Sequence, residues 1–168
     1  LEQPSLKESM IAFTTEMASR LGCDRVAIGL LKGHRVTVSA VSHSPQFEQK
    51  ANLMRAVESA MEEAIDQADA VVYPPERQDL PVVARAHEAL SRESHAGSTA
   101  TFPLYHDNKM VGAVTLERAA GYRFDVPTLE ICEAVASVAG PIIALKQESE
   151  ASLPAHTGRS VKKLWEML

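Results

Sequence analysis

The sequence predicts an α+β domain built on a mostly antiparallel sheet. Three observations carry this reading. Two pairs of strand-like runs, 25–31 with 35–41 and 98–105 with 110–117, are each joined by a short turn, and hairpins demand antiparallel pairing. Apolar residues recur at helical spacing in the stretches between and around them. The resulting order is helix, hairpin, helix, strand, helix, hairpin, helix, with no internal repeat.

The first helix covers residues 5–21, where Leu6, Met10, Phe13, Met17 and Leu21 form one apolar stripe. Ser5 and Glu8 have the spacing of a capping box, and Gly22 is a stop signal. The first hairpin turns at Lys32-Gly33-His34, and residues 42–45 close its second strand. From Phe47 to about Ala68 the pattern is helical again. Leu53, Val57, Ala60, Met61, Ala64, Ile65 and Ala68 share one side of that helix, while Glu58, Glu62, Asp66 and Asp69 share another. A short strand at 71–73 is stopped by Pro74-Pro75, residues 76–80 form a loop, and a short helix at 82–92 is entered through Pro81. The second hairpin turns at His106-Asp107-Asn108.

Asp125 is the N-cap of a long last helix that carries Leu129, Cys132, Val135, Ala136, Ala139, Ile142 and Ile143. Pro141 inside it predicts a kink or a break. After Gln147 the composition turns to Ser, Ala, Pro, Thr and Gly. The folded domain is therefore 1–147, followed by a linker at 148–160 and a basic, amphipathic tail at 161–168 bearing Trp165. That tail reads as a juxtamembrane segment or as a frayed end.

Composition narrows the function classes. With 168 residues, 45% hydrophobic and 23% charged, the chain suits one globular domain plus a tail rather than a disordered segment. No run approaches the ~18 consecutive apolar residues of a membrane span. The chain opens at Leu1 with no signal-peptide pattern and reads as a piece of something longer. Two cysteines, Cys23 and Cys132, make no disulfide framework and read as small core residues. The pI of about 5.7 argues against a nucleic-acid binder. No H-E-x-x-H, C-x-x-C or nucleophile elbow occurs, so neither an enzyme nor a metal, haem or covalent cofactor is expected.

Individual side chains leave alternatives open. Most of the six histidines fall in turns or on helix surfaces. His43 ends a strand and is either a ligand contact, a structural hydrogen bond or an exposed residue. Glu58, Glu62 and Asp66 are either a solvated helix face or, less simply, a bridge for a divalent ion. Alternation puts Thr115 and Glu117 on one sheet face beside Thr101, where they line a polar pocket or sit at its rim. Tyr73 and Phe102 flank the same cavity or are plain core.

Three stretches resemble the GAF domain, a relative of the PAS domain, over about 145 residues. They are Leu21-Gly-Cys-Asp-Arg-Val-Ala-Ile-Gly, then Ala100-Thr-Phe-Pro-Leu-Tyr with Met110-Val-Gly-Ala-Val-Thr-Leu, and Arg123-Phe124-Asp125 with Leu129. The resemblance implies a five- to six-stranded antiparallel sheet, with the first and last helices on one face and a ligand-pocket crossover region on the other. It implies a sensory domain that binds a small molecule. The pocket is then bounded by His43, Phe47, Tyr73, Phe102 and Thr115. A narrower resemblance, at 42–47, 52–55, 64–67 and 72–75, is to GAF domains found ahead of a transmembrane helix and a HlyD-type secretion or efflux adaptor region. It implies a cytoplasmic domain tethered to the inner membrane. The signatures of cyclic-nucleotide, bilin and methionine-sulfoxide relatives are not matched: Asn108-Lys109 runs on into Met110-Val111, and neither cysteine falls in the pocket region.

Apolar residues off the two main stripes, Ile11, Ala18, Ile131, Ala134, Val138 and Leu145, predict a patch on the first and last helices. A parallel homodimer would bury it. A ligand-free assembly module that only dimerises a membrane protein is the alternative function.

Overall fold

The computed structural model describes residues 2–43, 50–76, 79 and 81–166, with side chains described as far as Ser152. Helix α1 spans Leu6–Leu21, strands β1 and β2 span Arg25–Lys32 and Arg35–Val41, and α2 spans Ala51–Gln67. Strand β3 is Val71–Tyr73, α3 is Arg85–Ser94, β4 and β5 are Ser98–His106 and Lys109–Arg118, and α4 is Val126–Glu166. The five strands form one sheet in the order β2-β1-β5-β4-β3, antiparallel throughout.

Local signals set the element ends. Ser5 caps α1 through the Glu8 amide, Glu8 returns the bond to the Ser5 amide, and Gly22 closes the helix in the left-handed region at φ 61°. Asp107 and Asn108 both have positive φ, 49° and 59°, the conformation that a tight two-residue hairpin requires. Asp125 Oδ1 accepts from the Thr128 amide at 2.9 Å and starts α4.

Each sheet face carries its own core. On one, Val26, Ile28, Ala100, Phe102, Leu104, Val114 and Leu116 pack against Leu6, Met10 and Met17 of α1 and Cys132, Ala136, Ala139 and Ile143 of α4. On the other, Ala27, Val36 and Ala113 meet Leu53, Val57, Ala60, Met61 and Ile65 of α2 and Leu90 of α3. Small residues permit the closest approaches. A Cβ on Gly140 of α4 would lie 2.1 Å from the Tyr105 carbonyl oxygen, and one on Gly29 would lie 2.5 Å from Met61 Sδ.

Two expectations change here. Helix α4 runs unbroken through Pro141, and the linker expected at 148–160 is helical. A proline inside a helix removes one amide and crowds the preceding turn. Contacts to α1 hold the helix beyond it. Lys146 Nζ donates to the Pro4 carbonyl at 2.7 Å, and the Leu6 amide donates to Glu150 Oε1 at 2.5 Å. The side chains of the tail at 161–168 lie outside the described residues.

The acidic stripe of α2 is also more than a solvated face. Glu62 Oε1 accepts from the Val36 amide and Glu58 Oε1 from the Val38 amide, both at 3.0 Å. Strand β2 is an edge strand, and these carboxylates cover amides that a second sheet could otherwise pair.

Candidate functional site

Antiparallel pairing places register partners on the same sheet face. Two adjacent rows on the α2 side are therefore polar. One row reads Ala27, Thr115, Thr101 and Val71 across β1, β5, β4 and β3. The next reads Arg25, Glu117, Thr99 and Tyr73.

The first row joins a buried hydrogen-bonded chain. His87 of α3 is fully buried, with Nδ1 2.8 Å from Glu63 Oε1 and Nε2 2.7 Å from Thr101 Oγ1. Thr101 Oγ1 lies 2.8 Å from Thr115 Oγ1. An ionised carboxylate only accepts, so Nδ1 carries the proton, Nε2 accepts from Thr101, and Thr101 accepts from Thr115. Burial holds the His87 imidazole below its usual range, and the Glu63 carboxylate opposes that shift. Glu63 also accepts from the Ala86 amide at 2.9 Å and the His87 amide at 3.3 Å. It does the work of an N-cap for α3, whose own N-cap residue, Ala84, has no side-chain acceptor.

The second row is not fully satisfied. Glu117 is 2% exposed, and its Oε2 accepts from Arg25 Nη1 at 3.0 Å. Burial raises the Glu117 carboxyl above its usual range, and Arg25 and the nearby Ser94 hydroxyl pull the other way. Among the described residues, Glu117 Oε1 and Thr99 Oγ1 are buried without a hydrogen-bond partner. Such atoms are rare in native proteins.

Above this row lies a polar cleft of ≈ 470 Å³. Its walls are Arg25 at the start of β1, Lys50, Ala51, Asn52 and Leu53 at the start of α2, and Glu93, Ser94 and His95 at the end of α3. The two residues that act on Glu117, Arg25 and Ser94, are both walls of the cleft, so the cleft lies beside the Glu117 row, while Glu117 and Thr99 themselves are buried.

The five residues predicted to bound a pocket separate accordingly. Thr115 is buried on the cleft side of the sheet, bonded to Thr101. Tyr73 is half-buried in the Glu117 row. Phe102 is a correction. It pairs with Val114, not with Thr115, and is buried in the α1/α4 core. Its large ring goes to the face with the larger apolar cover, and Tyr73 and Phe102 do not share a cavity. His43 is exposed, in a turn at φ 46°. Its neighbour Ser42 is buried instead and accepts from the Val26 amide at 2.9 Å. Phe47 lies outside the described residues. The residues that sequence reasoning missed are Arg25, Glu63, His87, Ser94 and Thr99. Their signal was the alternation of Thr99 and Thr101 around Ala100 in a mostly apolar strand, and His87 three positions before Leu90 on α3.

Among the described residues no three His, Cys, Asp or Glu side chains gather as metal ligands do. Cys132 is buried, and its thiol is pushed up to about 11, chiefly by desolvation. Residues 126–152 of α4 are long and apolar enough to cross a bilayer by length and composition. One face of that stretch, through Cys132, Ala136, Ala139 and Ile143, is nonetheless part of the core.

The family model of the GAF domain matches residues 5–143. The chain belongs to the GAF family. Three solved structures share this GAF fold. A domain of a candidate two-component sensor histidine kinase protein from Sinorhizobium meliloti 1021 is 16% identical, with TM-score 0.63 over 89% of this chain and 98% of that one. The GAF domain of an Acinetobacter phosphoenolpyruvate-protein phosphotransferase is 13% identical, with TM-score 0.67 over 89% of each chain. The GAF domain region of a candidate membrane protein from Geobacter sulfurreducens PCA is 15% identical, with TM-score 0.56 over 85% of this chain and 93% of that one. At these identities the likeness is one of fold. No protein of curated function matches the chain. GAF domains are in general sensory or regulatory modules, and this one has their sheet, with α1 and α4 on one face and α2 and α3 on the other.

Proposed function

We propose that this GAF domain is a non-enzymatic sensor that binds a small molecule in the cleft between the start of α2 and the end of α3. The observation that carries the reading is that Arg25, a wall of this polar cleft, also holds the buried Glu117, whose other oxygen, Oε1, has no hydrogen-bond partner among the described residues. A buried polar atom without a partner is destabilising by about 1–3 kcal/mol, and a bound ligand is one way to relieve it. The Glu63-His87-Thr101-Thr115 chain, whose members satisfy one another, is structural in this reading. Arg25 joins the cleft to the sheet, and α4 lies on the opposite face, so a ligand that orders the cleft would be felt through the sheet.

Output through a second copy completes the proposal. Ile131, Val138, Ile142 and Leu145 of α4 and Ile11 of α1 are between 40% and 59% exposed. Of these, Val138 and Ile142 line an apolar groove of ≈ 380 Å³ together with Met10 and Phe13 of α1 and Val135 of α4. Ala18, expected on this patch, is buried. A homodimer through α1 and α4 would send both C-terminal helices the same way. Tethering to a membrane protein, of HlyD type on the sequence resemblance, is the context we propose, with the domain on the cytoplasmic side.

Native mass spectrometry of the freshly purified chain, beside an Asn52→Trp variant that fills the exposed cleft wall, tests this reading. The expected result is a carried-over small molecule on the wild type and none on the variant. A wild type that arrives empty and gains no thermal stability from a metabolite library would instead favour a ligand-free assembly module. Met61, Leu90 and His87 fill the space between the sheet and α2 and α3, which is the observation on that side.

A further inference from the structure

Few side chains hold α3 to the rest of the domain. Of its ten residues two are buried, His87 and Leu90, and its start has no side-chain cap of its own. Glu63 and Gln67 of α2 supply what the start lacks, through the Ala86 and His87 amides and the Val83 backbone. One of the two buried anchors is thus an imidazole, the side chain whose charge changes nearest neutral pH. The groups around its ring are Glu63 from α2 and Thr101 from β4, with Thr115 of β5 behind it. Val71 of β3 extends that row, and Glu117 and Tyr73 stand one row away. Glu88 and Arg92, on α3 itself, pair with each other on the solvent side. Among these, Glu63 is the one charge that acts on the ring.

The hydrogen-bonded chain has a direction that a proton would reverse. With the ring neutral, Nε2 accepts from Thr101 and Thr101 accepts from Thr115. A protonated ring donates from both nitrogens, so Thr101 accepts from Nε2 and turns its own hydrogen to Thr115. The Thr115 hydroxyl makes no other hydrogen bond among the described residues and is 1% exposed, so its hydrogen is then buried and unpartnered. The Glu63 carboxylate favours the charged ring, and burial disfavours it more. We infer that His87 is a proton-released latch: in mild acid its ring leaves this seat and α3 opens as a unit, while the sheet stays closed. Glu93, Ser94 and His95 at the end of α3 wall the polar cleft, so acid would open that wall. The latch itself stands whatever the cleft binds.

The test is native-state hydrogen exchange of the full chain between about pH 7.5 and 5, with each opening constant corrected for the intrinsic rate of its amide. An open α3 carries an ordinary histidine, which takes up its proton from about pH 6.5 downward. In its buried seat the ring takes it at lower pH. Opening of the amides of 86–94 should therefore rise by up to about tenfold per pH unit below pH 6.5, and level off once the buried ring titrates too. The amides of β1 and β5 should not follow. Glu117 does not mimic this result: burial raises its carboxyl, so acid acts on its row with the opposite sign. His87→Gln takes up no proton and should show α3 opening that is independent of pH. Because that variant alters a buried side chain and could misfold, the wild-type ring is also titrated through its own imidazole carbon resonances, with a midpoint below the ordinary range expected. Four outcomes would each overturn the latch: α3 opening that ignores pH, an equal response in β1 and β5, a response that persists in His87→Gln, or a ring midpoint at or above about 6.5.

Discussion

Thr99 and Glu117 are register partners across β4 and β5, and each keeps one buried oxygen without a hydrogen-bond partner. Two residues further along the same face, Thr101 and Thr115 are also partners, and their hydroxyls lie 2.8 Å apart. The contrast makes a clean comparison. Thr99→Val removes an unsatisfied hydroxyl at nearly constant volume and should leave stability unchanged or raise it by up to ~1 kcal/mol. Thr101→Val cuts the chain between His87 and Thr115 and should lower it by about 1–3 kcal/mol. Urea denaturation of the two variants checks this, and equal losses would contradict the assignment of Thr99 as an orphan.

The pH dependence of folding should carry the mark of His87. Burial holds its imidazole below the ordinary range, so near pH 6.5 the unfolded chain binds more protons than the folded one. Its contribution is therefore fully present above about pH 6.5 and lost as the pH falls through the lowered value. The wild-type urea midpoint should drop between pH 7.5 and 5.5, and His87→Gln, less stable at both, should show a smaller drop. An unchanged slope in the variant would place the acid sensitivity elsewhere.

The parts of this structure that were readable in the sequence are those set by neighbours along the chain. The Ser5-Glu8 capping box, the Asp107-Asn108 turn and the Asp125 cap each involve residues within three positions of one another. The site is set by pairs far apart in sequence. Whether Phe102 or Thr101 shares a face with Thr115 depends on strand register, and a shift of one residue exchanges the faces. Glu58 and Glu62 look like solvated helix surface until α2 is seen to lie along the β2 edge, where they accept from the Val36 and Val38 amides. A kink or break at Pro141 is the local expectation because the anchor of α4 beyond it, Glu150 on the Leu6 amide, links residues at opposite ends of the chain.

The apolar groove between α1 and α4 gives a prediction that leaves the fold untouched. Ile142 is 52% exposed in the single chain, so Ile142→Glu should change monomer stability by no more than about 0.5 kcal/mol. Placed in a dimer interface, the same charge would be buried without a partner. Sedimentation at micromolar concentration should show the wild type as a dimer and the variant as a monomer with an unchanged circular dichroism spectrum. A wild type that sediments as a monomer would remove the α1/α4 dimer from the proposed function.

Glu63 should prove the most sensitive residue on α2. One carboxylate holds the amides of Ala86 and His87 and the His87 ring. One turn later, Gln67 exchanges two hydrogen bonds with the backbone of Val83, at 2.8 and 3.0 Å. Together they fix the entry into α3, which has no side-chain cap of its own. Glu63→Ala strands two amides and leaves the buried ring without an acceptor, which should lower stability by about 2–4 kcal/mol. Glu63→Gln keeps one oxygen to accept and should restore part of that loss, whereas a purely electrostatic role would make the two variants equal. The distinguishing measurement is native-state hydrogen exchange. In Glu63→Ala the amides of residues 86–90 should exchange faster than the strand amides of β1 and β5, because α3 opens locally while the sheet stays closed. Uniform acceleration across the chain would mean that Glu63 serves global packing and not the start of α3.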